Sequence, residues 1–464
     1  MNVLFILFEF IPLNRAGVYR PLRFVNALAS EGINPIVLTF DFKNSEEYQV
    51  DENLTNLLHP KVKIIKLSLD KIGYFTKNKM NRVRYVMNNY VGDNYLNVIN
   101  KFHKNKIDKI IDLYSPKIIV SSCPPFSGAV LGRDLSLKYK IPFILDMRDA
   151  WSHWSNNPYP SYYHYIQRKK IETSVFKQAT CITSVTPQLI SKFKKTNPDI
   201  LDSKFKLIYN SPNFQIEKSY KIIKKSIAEV ERIHIGYTGS FYYRPQSKNR
   251  RLSIFKFHRL FQYHATKEDW FYRTPYFFLK ALNKLFENRP SWKGKIFFNY
   301  VGKTESWFDN MINDLGLKDN VILHGYQSQS KVQELEKSFD ILLTTSEKVI
   351  NGEHYCLPSK LFTYLLAKKM IFGFVTEGVQ KEFLEKSGIG IVFNPDNIDE
   401  NVIKLENYFS SSFENNIELT EFIQTYDSNN TSNQFINLIN DIVENNNNLA
   451  LSNSNQSEKS SFSY

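Results

Sequence analysis

IHIGYTGSF, residues 233–241, reads as a short apolar strand that runs out into a glycine and a serine, and it restarts a pattern used once already upstream. Before it, NVLFILF, NPIVLTF, KIIVSS, PFILDM and ATCITSV read as strands. Between them lie helical stretches such as YRPLRFVNALASEG, closed by Gly32, and GAVLGRDLSLKYK, with a basic helix near 162–177. After it, KIFFNYVG, VILHGY, DILLTTS, MIFGFV and GIGIVF alternate with WFDNMINDLG, SKVQELEKSF and LPSKLFTYLLAKK. Strands alternating with helices predict parallel sheets covered on both faces. Two such runs predict an α/β chain of two doubly wound, Rossmann-like domains facing a central cleft, with ligands at the carboxyl ends of the strands. The expected division is 1–215 and 216–400, joined near 215–232, then terminal helices over 401–443. The remainder, 444–464, is polar, low in complexity and expected to be disordered.

A chain of 464 residues with 42% hydrophobic content is long enough for two cores. Cys123, Cys181 and Cys356 are too few and too scattered for a disulfide framework or a metal site, so they read as buried thiols in a reducing compartment. MNVLFILFEFIPLNRAG lacks the basic start and small-residue cleavage site of a signal peptide and is expected to be a first strand and its loop. With no apolar stretch near 20 residues elsewhere, the expected location is the cytoplasm.

The formal charge of +14 asks for an anionic partner. Basic residues concentrate at QRKK (167–170) and SKNRRLSIFKFHRL (247–260), both with apolar or aromatic neighbours. That mixture suits an anionic membrane surface as well as RNA, or a plain solvated face. No zinc-finger spacing or RNA-binding aromatic signature supports nucleic acid.

Several strand ends carry chemistry. FILDMRDAW (143–151) places Asp146, Arg148, Asp149 and Trp151 where a cleft is expected, a set able either to orient sugar hydroxyls or to hold itself together by ion pairs. Gly239 and Ser240 allow a ligand close to the backbone, with Arg244 adding charge. GKT at 302–304 lacks the first glycine of a P-loop, having Phe297 there, so Lys303 is either a phosphate contact or a solvated lysine. In LPSKLFTYLLAKK (357–369), Ser359 and Lys360 open a helix whose dipole and free amides favour an anion.

The order of these pieces resembles the GT-B glycosyltransferases of the family 4 type. It matches in the loop PLNRAGVYR, the strand end DMRDAW, the domain end LIYNSPN, the strands ending YTGS and VGK, and the helix SKLFTYLLA, over roughly residues 1–400. The resemblance implies transfer of a sugar from a nucleotide diphosphate donor to a glycan or lipid-linked glycan, with retention and without a metal or other cofactor, in surface-polysaccharide assembly. It implies a donor diphosphate at Gly239, Ser240, Lys303 and Ser359. Asp149, Arg148, Arg244 and Lys360 are the implied catalytic groups, with Arg15, Gly17, Asp146, Trp151 and Phe126 on the acceptor side.

Two positions depart from the family pattern. Thr363 stands where a glutamate is expected to hold the donor ribose, and Glu353, just upstream, is the nearest carboxylate in sequence able to replace it. Phe126 stands near the place of a family histidine. These departures leave open a catalytically weakened homologue acting as a partner or scaffold. A sugar-nucleotide epimerase would share the two-domain architecture, and a basic nucleic-acid-binding protein would share the charge.

Overall fold

A computed structural model describes residues 1–42, 48, 50–69, 89–153, 158–245 and 261–461. The chain forms two compact units. The first is Met1–Asn213 with Phe257–Ala265 and Ser428–Tyr464, and the second is Phe214–Lys256 with Thr266–Asp427.

The first unit is built on seven parallel strands, β1 (Asn2–Ile6), β2 (Asn34–Asp41), β3 (Lys63–Ser68), β4 (Ile118–Cys123), β5 (Phe143–Met147), β6 (Cys181–Ser184) and β7 (Phe205–Leu207). Their order in the sheet is β3-β2-β1-β4-β5-β6-β7, so the winding reverses between β1 and β4. Every residue of β4, β5 and β6 is buried. Burial on both faces makes a parallel strand a continuous apolar run, which is why these segments stand out in the sequence.

The last helix, Ser428–Ser461, completes this unit. Phe435 stacks on Phe24 of the helix Ala16–Ser30, with ring centroids 4.1 Å apart and planes at 4°, and lies 6.3 Å from Phe5 in β1. The helix runs on through most of the segment expected to be disordered.

The second unit holds β8 (Ser219–Lys224), β9 (Ile233–Thr238), β10 (Glu268–Asp269), β11 (Ile296–Val301), β12 (Val321–Gly325), β13 (Ile341–Thr345), β14 (Lys348–Val349), β15 (Met370–Phe374), β16 (Gly390–Phe393) and β17 (Phe413–Glu418). Six of them make a parallel sheet in the order β12-β11-β9-β13-β15-β16, with the reversal between β9 and β13. Strand β8 lies within the expected linker and pairs antiparallel with β17, which interrupts the expected run of terminal helices. The sequence of β17, FENNIE, is mostly polar and carries no strand signal of its own.

Among the described residues, no helix is long and apolar enough to cross a membrane.

Candidate functional site

In each of the two parallel sheets the strand order reverses beside the sheet's own first strand, and the crevice outside the carboxyl ends at such a point is where open α/β sheets take ligands. The sequence-derived candidates gather at these two points, but in several cases their roles differ from expectation.

In the first unit Asp146, at the end of β5, is fully buried, and its ionic partner is Arg20 and not Arg148. Arg20 Nη2 lies 2.8 Å from Asp146 Oδ1, and Ser122 and Thr183 hydroxyls donate to the same carboxylate at 2.7 Å. Burial would push this carboxyl up, but the Arg20 charge and the hydrogen bonds hold it below the usual aspartate value. Arg20 also donates to Tyr209 O at 2.9 Å, which ties the LIYNSPN segment to the sheet. Asp146 is therefore a girder of the fold and is not placed to orient sugar hydroxyls.

Arg148 pairs with no carboxylate among the described residues; it donates to the backbone carbonyls of Cys123, Gly17 and Pro124. Gly17 lies in the first turn of the helix Ala16–Ser30, and a Cβ there would run into the Arg148 guanidinium. Trp151 is fully buried, stacks on Phe126 at 4.9 Å and donates its indole N–H to Val91 O at 3.0 Å. With Trp151 sealed and Phe126 spent on it, neither ring offers a face for stacking a sugar. Arg15 is exposed and pairs with Glu9 at 2.8 Å. Asp149 is half-buried and takes no hydrogen bond among the described residues; burial raises its carboxyl, with Arg148 pulling the other way. Of this group, Asp149 is the one whose carboxylate stays uncommitted.

In the second unit the helix Lys360–Ala367 reaches β9 and β13 through Lys360 and Tyr364, and β11 pairs alongside β9. Gly239, at φ +102°, is exposed and donates its N–H to Val301 O at 2.9 Å. Gly302 lies so close beneath it that a Cβ would meet Gly239 O. The glycine of GKT thus serves strand-end packing, while Lys303 is exposed. Ser240 is exposed and accepts from Tyr242 N. Tyr364 binds the reversal point together, accepting from Thr238 N at 3.1 Å and donating to Leu343 O at 3.3 Å.

Lys360 carries the sharpest feature. Its Nζ is shut off from solvent, has no hydrogen-bond partner among the described residues, and sits 3.4 Å from the centroid of the Tyr237 ring. Burial, reinforced by the like charge of Arg273, pulls its pKa well below the usual lysine value, with Glu336 opposing. Arg273 is a site residue that the sequence does not single out. Its Nη1 lies 2.9 Å from Glu347 Oε2, both side chains being nearly buried. Glu347 Oε1 in turn stands 3.0 Å from His354 Nε2. Burial alone would raise the Glu347 carboxyl, but His354 and Arg273 hold it far below the usual range. The Glu347 ion pair fixes Arg273 close enough for Lys360 to feel its charge. The only sequence signal for it is an arginine just ahead of a helix, WFYRTPYFF, which is too common to stand out.

Arg244, expected in this cluster, is exposed and makes no hydrogen bond or ion pair among the described residues. The basic stretch 247–260 lies outside the described residues. Ser359 precedes the helix Lys360–Ala367 without a capping side-chain hydrogen bond; Leu361 N and Phe362 N already donate to Pro358 O and Ser359 O at 3.1 Å, which leaves the Ser359 and Lys360 amides without an acceptor among the described residues.

Thr363 touches a carboxylate that the fold brings from another helix. Thr363 Oγ1 donates to Glu336 Oε1 at 3.3 Å, and Thr238 Oγ1 donates to the same oxygen at 2.7 Å. Glu336, 3% exposed, is the only buried residue of the helix Gln329–Ser338. Glu353 is exposed and makes no such contact among the described residues.

Two doubly wound parallel sheets of seven and six strands give the chain a GT-B fold. Solved structures with this likeness include sucrose-phosphate synthase from Thermosynechococcus elongatus, with 9% identity, a TM-score of 0.54, and coverage of 95% of this chain and 99% of that one. The lipopolysaccharide outer core galactosyltransferase WaaB is similar at 14% identity and TM-score 0.53, covering 95% and 99%. The E. coli trehalose-6-phosphate synthase bound with UDP-2-fluoro glucose is similar at 11% identity and TM-score 0.55, covering 94% and 98%. At these identities the likeness is one of fold. No protein-family model matches the chain, and no curated protein matches its sequence.

Proposed function

We propose that the chain is a glycosyltransferase that moves a sugar from a nucleoside diphosphate donor to a glycan or lipid-linked glycan acceptor. The observation that carries this reading is the Lys360 side chain, enclosed without an acceptor among the described residues, beside Arg273 at the strand reversal of the second unit. A buried ammonium group with a ring face but no anion or acceptor beside it is costly, and a diphosphate at the start of Lys360–Ala367 would supply the missing charge and an acceptor for the Ser359 and Lys360 amides. The neighbour bound with UDP-2-fluoro glucose supports the same class of ligand by fold.

In this reading the donor diphosphate meets the Gly239–Ser240 backbone, Lys360, Arg273 and the helix start at Ser359. Lys303 and Arg244 would stand at its edge. As the glycosidic bond breaks, charge builds on the departing nucleoside diphosphate, and Lys360 and Arg273 stabilise it more in the transition state than in the ground state. Two fixed cations perform this work without a metal. Retention of configuration and a role in surface-polysaccharide assembly rest on the sequence resemblance. Asp149, uncommitted in the first unit, is the group proposed to meet the acceptor. An anionic membrane surface at the inner face of the cell membrane is the partner proposed for the basic aromatic stretch 247–260.

The test is a thermal-shift panel of UDP, GDP, ADP, CMP and their sugar conjugates, with and without EDTA. A rise in Tm for one nucleoside diphosphate, unaffected by EDTA and lost in Lys360→Ala, is the expected result. No rise at millimolar ligand would overturn donor binding and favour a scaffold role.

A further inference from the structure

We infer that Glu336, reaching in from a neighbouring helix, is the carboxylate that receives the hydroxyl groups flanking a bound diphosphate; this rests on the donor site proposed above. The helix Gln329–Ser338 has the sequence QSKVQELEKS, in which Val332 and Leu335 are the natural inward residues. Neither is buried, and the helix instead commits a glutamate to the interior. Taking a carboxylate out of water is costly, so a fold that keeps one there has it partnered.

The partnering here is one-sided. Thr238 and Thr363 both donate to Oε1, while Oε2 takes no hydrogen bond among the described residues. The two hydroxyls lock the carboxylate in orientation and leave one oxygen with its acceptor capacity unused. Thr363 Oγ1 also lies 2.9 Å from Lys360 O, so its single proton is shared between that carbonyl and the carboxylate, and the same short side chain joins Glu336 to the first turn of the helix Lys360–Ala367. Lys360 and Glu336 each feel the other's charge.

An anion drawn in by Lys360 and Arg273 cannot use Glu336, because two negative groups repel. A neutral hydroxyl attached to that anion can, and it gains a charge-assisted hydrogen bond. A nucleoside diphosphate sugar offers such hydroxyls on both sides of its phosphates, on the ribose and on the transferred sugar. The shared chemistry is a polyol next to a diphosphate. The threonine at position 363 is thus not a gap; it is the small donor that leaves room for a carboxylate from another helix and holds it.

The experiment compares wild type with Glu336→Gln by calorimetry against UDP, GDP and ADP, their 2′-deoxy counterparts, UDP-glucose and UDP-N-acetylglucosamine, and inorganic pyrophosphate. For the nucleoside diphosphate that binds, Glu336→Gln is expected to weaken affinity about ten-fold or more. Pyrophosphate, which has no polyol, should bind the variant as well as wild type or better. If the ribose is the partner, wild type discriminates against the 2′-deoxy ligand and Glu336→Gln does not. If the transferred sugar is the partner, the discrimination lies between the diphosphate and its sugar conjugate. These comparisons on wild type stand even if the variant fails to fold. Equal binding of all ribose, deoxyribose and sugar forms, or a Glu336→Gln affinity unchanged for nucleotides, overturns the role of Glu336 while leaving the anion site intact. Binding of neither nucleotides nor pyrophosphate overturns both.

Discussion

Thr363 Oγ1 donates to Glu336 Oε1 across 3.3 Å, so the position that lacks a carboxylate in sequence touches one in space. Thr363→Glu should therefore harm the protein. A second carboxylate against a nearly buried first one is expected to cost roughly 1–3 kcal/mol and to lower Tm. The penalty should be largest near neutral pH and relax as pH falls and one of the pair takes a proton. The double variant Glu336→Thr with Thr363→Glu should recover most of the loss, and Glu353→Ala should change neither stability nor nucleotide response. Thermal melts of the four proteins at pH 5 and pH 7.5 check this.

Arg20 and Asp146 are 4% and 1% exposed in their side chains. Removing one partner strands the other charge, so Arg20→Met is expected to destabilise the first unit by about 3–5 kcal/mol. Asp146 has a folded pKa below its unfolded value, so its contribution is present above the ordinary aspartate pKa and fades as pH falls through the depressed value. Wild type should lose stability on acidification over that window, and Arg20→Met should lose less. Urea titrations across pH 2–6 read both effects.

Gly17→Ala would drive a methyl group into the Arg148 guanidinium, which three carbonyls hold in place. A destabilisation of roughly 1–3 kcal/mol is expected. The double variant Gly17→Ala with Arg148→Ala should show less than the sum of the single losses, because the clash disappears with the side chain.

Lys360 gives a pH signature of the opposite sense to that of a stabilising lysine ion pair. Its folded pKa lies well below the unfolded lysine value, so the unfolded chain holds the extra proton between the two. Stability of the unliganded protein should rise with pH from the depressed value towards the ordinary lysine value, and Lys360→Met should flatten that rise. A bound diphosphate restores the charge, so binding should draw in protons in the same window. Calorimetry in buffers of different ionisation enthalpy measures the uptake.

Much of the fold was legible because parallel strands buried on both faces leave unbroken apolar runs, as in KIIVSS and PFILDM. Strand β17 was not, because FENNIE is held by pairing with β8, distant in sequence, and not by any preference of its own. At the candidate site, Lys360 was legible from local helix physics. Arg273 and Glu336 were not, since each becomes significant only through partners brought near by folding: Glu347 for the first, Thr238 and Thr363 for the second. The charges of FILDMRDAW are close together in sequence but do not pair with one another, because the true partner of Asp146 is 126 residues away.

The helix that carries Phe435 is made after the whole of the second unit, yet it covers Phe24 and β1, which are made before that unit. On the ribosome, the amino-terminal half therefore waits through the synthesis of the entire second unit with an aromatic surface uncovered. A fragment ending at residue 213 should emerge sticky and prone to aggregate, and supplying the 428–461 peptide in trans should rescue its solubility.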